Sequence, residues 1–241
     1  MKFTPKRIFS VIFVLSLVGI FGFWFHHNIA DVLRMLLPNY IIKKTVNDVL
    51  TNVGDKAKER LLPWFETAKV PYPPQQLALL GFKAEKRLEV WAEQQTTWLF
   101  IRSYPILAAS GIAGPKLREG DRQVPEGIYR INFLNPNSRY HLSMQINYPN
   151  EFDRRKAALE NRTDLGGEIF IHGKAVSIGC LAIGDEAIEE LFVLVATIGI
   201  DKVTVILAPQ QHKQTTDLNA PIRPWVPELY SDIRQALAQF K

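Results

Sequence analysis

The sequence predicts an α+β domain, β-rich with few helices, preceded by an N-terminal transmembrane anchor and a short helical stalk. Strand texture, scarce helical spacing and one uncharged apolar span carry that prediction. Between residues 77 and 208 the chain is mostly short runs of branched and aromatic residues bounded by polar turns. Helical spacing is confined to a few segments. Residues 8–25 contain no charged side chain.

The uncharged span, "IFSVIFVLSLVGIFGFWF", follows Lys2, Lys6 and Arg7. A helix of that length covers roughly 27 Å, just under a bilayer's hydrocarbon thickness. Positive charge ahead of the span holds that end in the cytoplasm and sends the remainder outside. Phe23, Trp24, Phe25, His26 and His27 stand where a cleavage site would need small residues, so the span reads as an uncleaved anchor rather than a signal peptide. Residues 1–27 are therefore taken as the anchor or signal segment.

Residues 28–74 are expected to form a helical stalk and a linker. Val46, Val49, Leu50, Val53, Ala57, Leu61 and Leu62 recur at helical spacing, with Lys and Glu on the other side. The helix is expected to end near Pro63, with Gly54 a point where it can divide. "VPYPP" at 70–74 is stiff linker chemistry, because proline fixes φ, and the domain boundary is placed there.

The catalytic domain is expected over 75–210. Strands are predicted at 77–82, 87–92, 97–106, 127–132, 140–149, 168–173 and 202–208. A helix is predicted to open on Asp185 as N-cap and close at Gly199. Residues 211–241 form a C-terminal loop and a helix from about Pro224 to Phe240.

Composition excludes some functions. The net charge of +5 is spread along the chain, without the dense basic stripe that nucleic-acid binding needs. A single cysteine rules out an internal disulfide, and His and Cys are too few to suggest a zinc site. No metal, cofactor or nucleic-acid partner is expected.

That cysteine is Cys180, in "EIFIHGKAVSIGCLAIGDEA". Free cysteine most often packs as a small hydrophobe. Here Ser177 and Gly179 put it on a tight turn, and His172 ends the preceding strand, on the same face as Phe170. A strand ending in His–Gly and a returning Gly–Cys can bring imidazole and sulfur together. The thiolate is the reactive form, and a histidine beside it accepts the proton and later returns it to a leaving amine. Gly179 lets backbone amides approach a carbonyl oxygen, as an oxyanion hole requires. The Gly173 carbonyl is the nearest group to orient the imidazole. By residue types alone the chain reads as a cysteine acyl-transfer enzyme. A non-enzymatic wall-binding module with an idle thiol is the competing reading.

"IHGKAVSIGC" resembles the active-site signature of YkuD-type L,D-transpeptidases, with a His–Gly ahead of a Ser–x–Gly–Cys turn. Upstream, Pro125, Gly127, Tyr129 and Ile131 resemble that family's Pro–x–Gly–x–(Phe/Tyr)–x–Ile strand. Residues 137–154 look closest to its YafK-like branch. The resemblance implies a cell-envelope enzyme on the periplasmic side of the inner membrane, acting on peptidoglycan stem peptides at diaminopimelate. It implies a thioacyl-enzyme on Cys180 with His172 as base, and Gly173 and Gly179 in the catalytic turn. Within that branch, hydrolysis of the peptidoglycan–lipoprotein link is the alternative. Two departures stand out. Ile178 occupies the place of a second histidine, and Leu181, Ala182 and Ile183 stand where the family's arginine would follow. Ser177 is expected at the substrate, and Arg139 and Arg154 are the candidates to grip its carboxylate, since arginine can do so with two hydrogen bonds. Tyr140, Tyr148 and Phe152 could line the cleft, although aromatic residues in strands usually serve the core.

Overall fold

The computed structural model describes residues 43–211 and 223–241. The apolar span 8–25, His26, His27, His212 and most of the C-terminal loop lie outside the described residues. Among the described residues no helix is long and apolar enough to cross a membrane.

The first described helix, α1 (Val46–Ala68), opens on a reciprocal cap. Thr45 Oγ1 accepts the Asp48 N–H at 3.1 Å, and the Asp48 carboxylate accepts the Thr45 N–H at 2.7 Å. The helix runs unbroken through Gly54 and Pro63, against the expectation that it would end there. An interior proline costs about 3 kcal/mol. Leu61 and Phe65, fully buried on either side of it, each return about 1.5–3 kcal/mol by leaving water. Burial outweighs propensity. Those two side chains belong to the main core, so the segment expected to stand off as a stalk is part of the domain. From Lys44 onward the chain forms one compact unit.

Eight strands follow: β1 (Leu77–Phe82), β2 (Arg87–Gln94), β3 (Thr97–Pro105), β4 (Gly127–Asn135), β5 (Ser143–Ile146), β6 (Phe170–His172), β7 (Leu181–Ala182) and β8 (Val203–Ala208). They form one mixed sheet in the order β3-β2-β1-β8-β4-β5-β6-β7. The central strands β1 and β8 pair in parallel and are covered on both faces. Leu77 and Leu79 enter the main core, while Ala78, Leu80 and Phe82 enter a second cluster. A strand buried on both faces reads as a continuous apolar run, as these two do.

The remaining helices are α2 (Glu151–Leu159), α3 (Asp185–Ile198) and α4 (Val226–Leu237). The α3 helix carries Ile188, Leu191, Phe192 and Val195 into the main core, and α4 covers the opposite cluster with Val226, Leu229, Tyr230 and Ile233. The strand expected over 140–149 shrinks to the four residues of β5. His141 takes a φ of 74°, which turns the chain before the strand begins, and α2 takes over at Glu151. Asn150 and Asp153 form the reciprocal cap that starts α2. At α3 the N-cap is Gly184 and Asp185 is the first helical residue. The Asp185 carboxylate instead accepts the Lys174 N–H at 2.7 Å.

Candidate active site

The sheet order brings His172 and Cys180 to one edge. β6 pairs with β5 on one side, where His172 faces Ser143, and in parallel with β7 on the other, where Ile171 faces Leu181 and His172 faces Ala182. Continuing that register by one residue sets Cys180 beside Phe170. In a parallel pair, partners share a face, so Cys180 lies on the Phe170 and His172 side.

His172 is buried at 2% exposure. Its Nδ1 lies 2.7 Å from the Gly173 carbonyl oxygen, which can only accept. The proton of the neutral ring is thereby fixed on Nδ1, and Nε2 is left as the basic nitrogen. The Gly173 carbonyl is the orienting group that the sequence suggested. The Tyr140 ring covers the imidazole, with centroids 4.5 Å apart and planes tilted by 31°. Gly173 must be glycine, because a Cβ there would meet Asp185 Oδ1 at 2.5 Å and the Tyr140 carbonyl at 2.7 Å.

Cys180 sits at the end of a tight turn. Ser177 Oγ accepts the Cys180 N–H at 2.9 Å and donates to the Cys180 carbonyl at 2.6 Å. Ser177 therefore commits its hydroxyl proton within the turn. Gly179 adopts a φ of 110°, where side chains are strained. Among the described residues no acceptor takes the Gly179 N–H. The Cys180 sulfur lies 3.8 Å from the Glu168 carbonyl, its hydrogen-bond acceptor, and no described hydrogen bond joins it to His172.

Cys180 lines a cavity of about 540 Å³. Its wall includes Lys116, Arg122, Glu168, Ile178, Gly179 and Cys180. Lys116 is almost buried, paired with Asp121 at 2.5 Å and bonded to the Arg118 carbonyl at 2.8 Å. Burial works to raise the Asp121 pKa, but the Lys116 ammonium and the backbone N–H groups of Leu117, Arg118 and Gln123 outweigh it and hold the carboxyl low. Burial pushes the Cys180 thiol up, against a backbone hydrogen bond from Phe170 and the field of Lys116. Burial pushes His172 down, against its bond to Gly173. At neutral pH the resting pair is therefore a thiol and a neutral imidazole.

Neither predicted arginine lines this cavity. Arg139 is exposed in the turn that carries Tyr140. Arg154 lies on α2 and donates to the Pro149 carbonyl. The cations in its wall are Lys116 and Arg122. They come from the 106–126 segment, which lies far from Cys180 in sequence. Its dense charge was the available signal, but strand spacing does not tell where a loop folds. Among the described residues no cluster of three or more His, Cys, Asp or Glu could hold a metal ion.

Residues 80–206 match the family described as the YkuD L,D-transpeptidase catalytic domain. The chain belongs to that family. This YkuD domain is 38% identical over 113 residues to YafK of Escherichia coli strain K12, whose name assigns it to the L,D-transpeptidases. The match covers 46% of this chain and 44% of YafK, so the chain spans under half the length of that relative. Among solved structures, the YkuD domain overlaps the helical cell shape determining protein Pgp2 of Campylobacter jejuni. That overlap has 21% identity and a TM-score of 0.47, covering 62% of this chain and 55% of that one. It also overlaps Bd1075 of Bdellovibrio bacteriovorus with 21% identity and a TM-score of 0.43, covering 70% of this chain and 57% of that one.

Proposed function

We propose that this YkuD domain is a cysteine acyl-transfer enzyme acting on peptidoglycan stem peptides, with Cys180 as nucleophile and His172 as base. The observation that carries the reading is Cys180 in the wall of the 540 Å³ cavity, on the same strand face as a histidine two register positions away whose Nε2 is left basic.

The chemistry balances with the groups present. The thiol proton passes to His172 Nε2, and the sulfur attacks the carbonyl carbon of the diaminopimelate residue. Charge develops on the carbonyl oxygen, and the Gly179 N–H, which has no acceptor among the described residues, donates to it. The amide C–N bond then breaks, the imidazolium gives its proton to the departing amine, and a thioester remains on Cys180. An amine or water resolves the thioester, with the imidazole again taking the proton. Lys116 and Arg122 supply positive charge for the carboxylates of the stem peptide. The apolar span 8–25 would anchor this domain at the periplasmic side of the inner membrane.

The test is mass spectrometry of purified muropeptides after incubation with wild type and with Cys180→Ala, with and without a lipoprotein-derived lysine attached. Cleaved or newly crosslinked products should form only with wild type. Products that carry a new amine assign transpeptidation, and products of water, including release of the lysine, assign an amidase. Identical product profiles from the two proteins would overturn the reading in favour of a wall-binding module.

A further inference from the structure

The turn over His172 is held from outside the sheet. Tyr140, whose ring covers the imidazole, lies in the connection between β4 and β5. That connection has few bonds of its own, among them the Tyr140 N–H to Ser138 Oγ at 3.1 Å. Its two ends are both gripped by groups that lead to α1.

At the first end, Asn137 forms a paired amide contact with the residue just ahead of α1. The Lys44 N–H donates to Asn137 Oδ1 at 2.8 Å, and Asn137 Nδ2 donates to the Lys44 carbonyl at 2.8 Å. At the second end, His141 Nε2 lies 2.8 Å from Glu189 Oε1 on α3. Glu189 Oε2 accepts from Arg60 Nη2 of α1 at 2.9 Å, and Arg60 Nε donates to Glu190 Oε1 at 2.8 Å. Glu190 is buried, and its other oxygen binds Arg102 Nη1 and the Tyr104 hydroxyl, each at 2.6 Å. A buried carboxylate with that many partners has one geometry, because losing any partner leaves charge uncompensated. Arg60 is thus fixed on the α3 side, and through Glu189 it fixes His141. The Tyr140 carbonyl and the His141 Cβ close against Gly173, where no Cβ fits.

We propose that α1 is a positioning element for the base: through Asn137 at one end and the Arg60–Glu189–His141 chain at the other, it clamps the turn that holds the Tyr140 ring over His172. The proposal rests on the reading of His172 as the base. Asn137, Arg60 and Glu189 touch neither the cavity of Cys180 nor the imidazole, so they are positioning residues that act through Tyr140. The clamped ring shields the Nδ1–H bond to Gly173 from water and keeps Nε2 aimed in one direction. This gives a reason for a helix outside the matched family region to pack on the domain.

The experiment uses the full chain and two readouts. The first is exchange of the His172 ring Nδ1–H with solvent, followed by nitrogen NMR and assigned with His172→Gln. The second is the split between kcat and KM on a tetrapeptide muropeptide. Arg60→Met and Asn137→Ala should each speed ring exchange severalfold and lower kcat about tenfold, with KM nearly unchanged, because misplacing a reacting group costs rate rather than affinity. Tyr140→Ala should reproduce both effects, and Tyr140→Phe, which keeps the ring, should restore most of the rate. Val53→Ala is the control, since Val53 packs α1 on the core and takes no part in the hydrogen bonds that clamp the turn. It should lower the melting temperature and leave exchange and kcat alone. Wild-type exchange in Arg60→Met and Asn137→Ala overturns the proposal, as does an equal kcat loss in Val53→Ala. If the wild type turns over no muropeptide, the acyl-transfer reading fails, and ring exchange still decides the clamp.

Discussion

The proposed base and the proposed nucleophile are held in opposite ways. His172 lies inside the sheet, paired on both sides of its strand. Its carbonyl accepts the Ile183 N–H at 2.9 Å, and the next residue donates to the Leu142 carbonyl at 3.2 Å. The Cys180 turn has one local lock, the Ser177 hydroxyl, and its Val176 and Ile178 are 58% and 72% exposed. The resting sulfur is bonded to the Glu168 carbonyl rather than the imidazole. Handing its proton to Nε2 therefore requires movement, and the cysteine side is the one free to give. Catalytic hydrogen bonds commonly tighten only when substrate is bound. The difference assigns fixed direction to the base and adjustment to the nucleophile.

The largest effects should come from removing either member. Cys180→Ala leaves no atom to form a thioester, and product formation should fall to background. His172→Gln removes the proton acceptor but keeps the sulfur, so muropeptide turnover should drop by about 10²–10⁴, while thiol alkylation persists at alkaline pH. Turnover by Cys180→Ala above background would break the comparison at its root.

The two glycines separate rigid from adjustable. Gly173→Ala forces a methyl group against Asp185 Oδ1 and the Tyr140 carbonyl. The turn over the base must shift, at a cost of about 1–3 kcal/mol. Gly179→Ala meets no close atom, its nearest neighbour being the Gln123 carbonyl at 3.7 Å. Its cost is backbone strain from the φ of 110°, again about 1–3 kcal/mol. Both variants should lose melting temperature, but the exchange rate of the His172 ring proton should rise only in Gly173→Ala. Equal ring exchange in the two would show that the base is not held more firmly than the thiol.

What could be read from the sequence follows the same division. The strands around β1 and β8 were legible because burial on both faces writes itself as a continuous apolar run. The approach of the His172 strand to the Cys180 turn was legible from His–Gly and Gly–Cys at the ends of short segments. The α2 helix was not, since its apolar residues are sparse, although Asn150 and Asp153 carried a cap signal. β7 has two residues, too few for any periodicity. The α1 helix was legible as a helix but not through Pro63, because the burial of Leu61 and Phe65 that outweighs the proline is a tertiary effect. Lys116 and Arg122 escaped notice for the same kind of reason. A charged loop reads as solvent-facing until something shows which cavity it folds over, and Arg139 and Arg154, the arginines named from the sequence, lie outside that cavity's wall.

The smallest predicted effect tests the electrostatics of the adjustable side. Burial raises the Cys180 thiol, and the Lys116 ammonium is among the groups that pull it back down. Lys116→Met keeps the apolar stem and removes the charge, so the folded thiolate loses a favourable field and the thiol pKa moves further up. At a fixed pH of about 8, below that pKa, less thiolate is present and alkylation by iodoacetamide slows by a few-fold, with each pKa unit worth about 1.4 kcal/mol. The His172 ring exchange should not change, because burial and the Gly173 carbonyl set the imidazole's pKa and Lys116 does not. The measurement is the pH profile of alkylation in wild type and variant. A coincident pair of profiles would mean that the ammonium, spent on Asp121, exerts no field at the sulfur. A shift in ring exchange as large as the shift in alkylation would mean that the two sides of the site are not independently held.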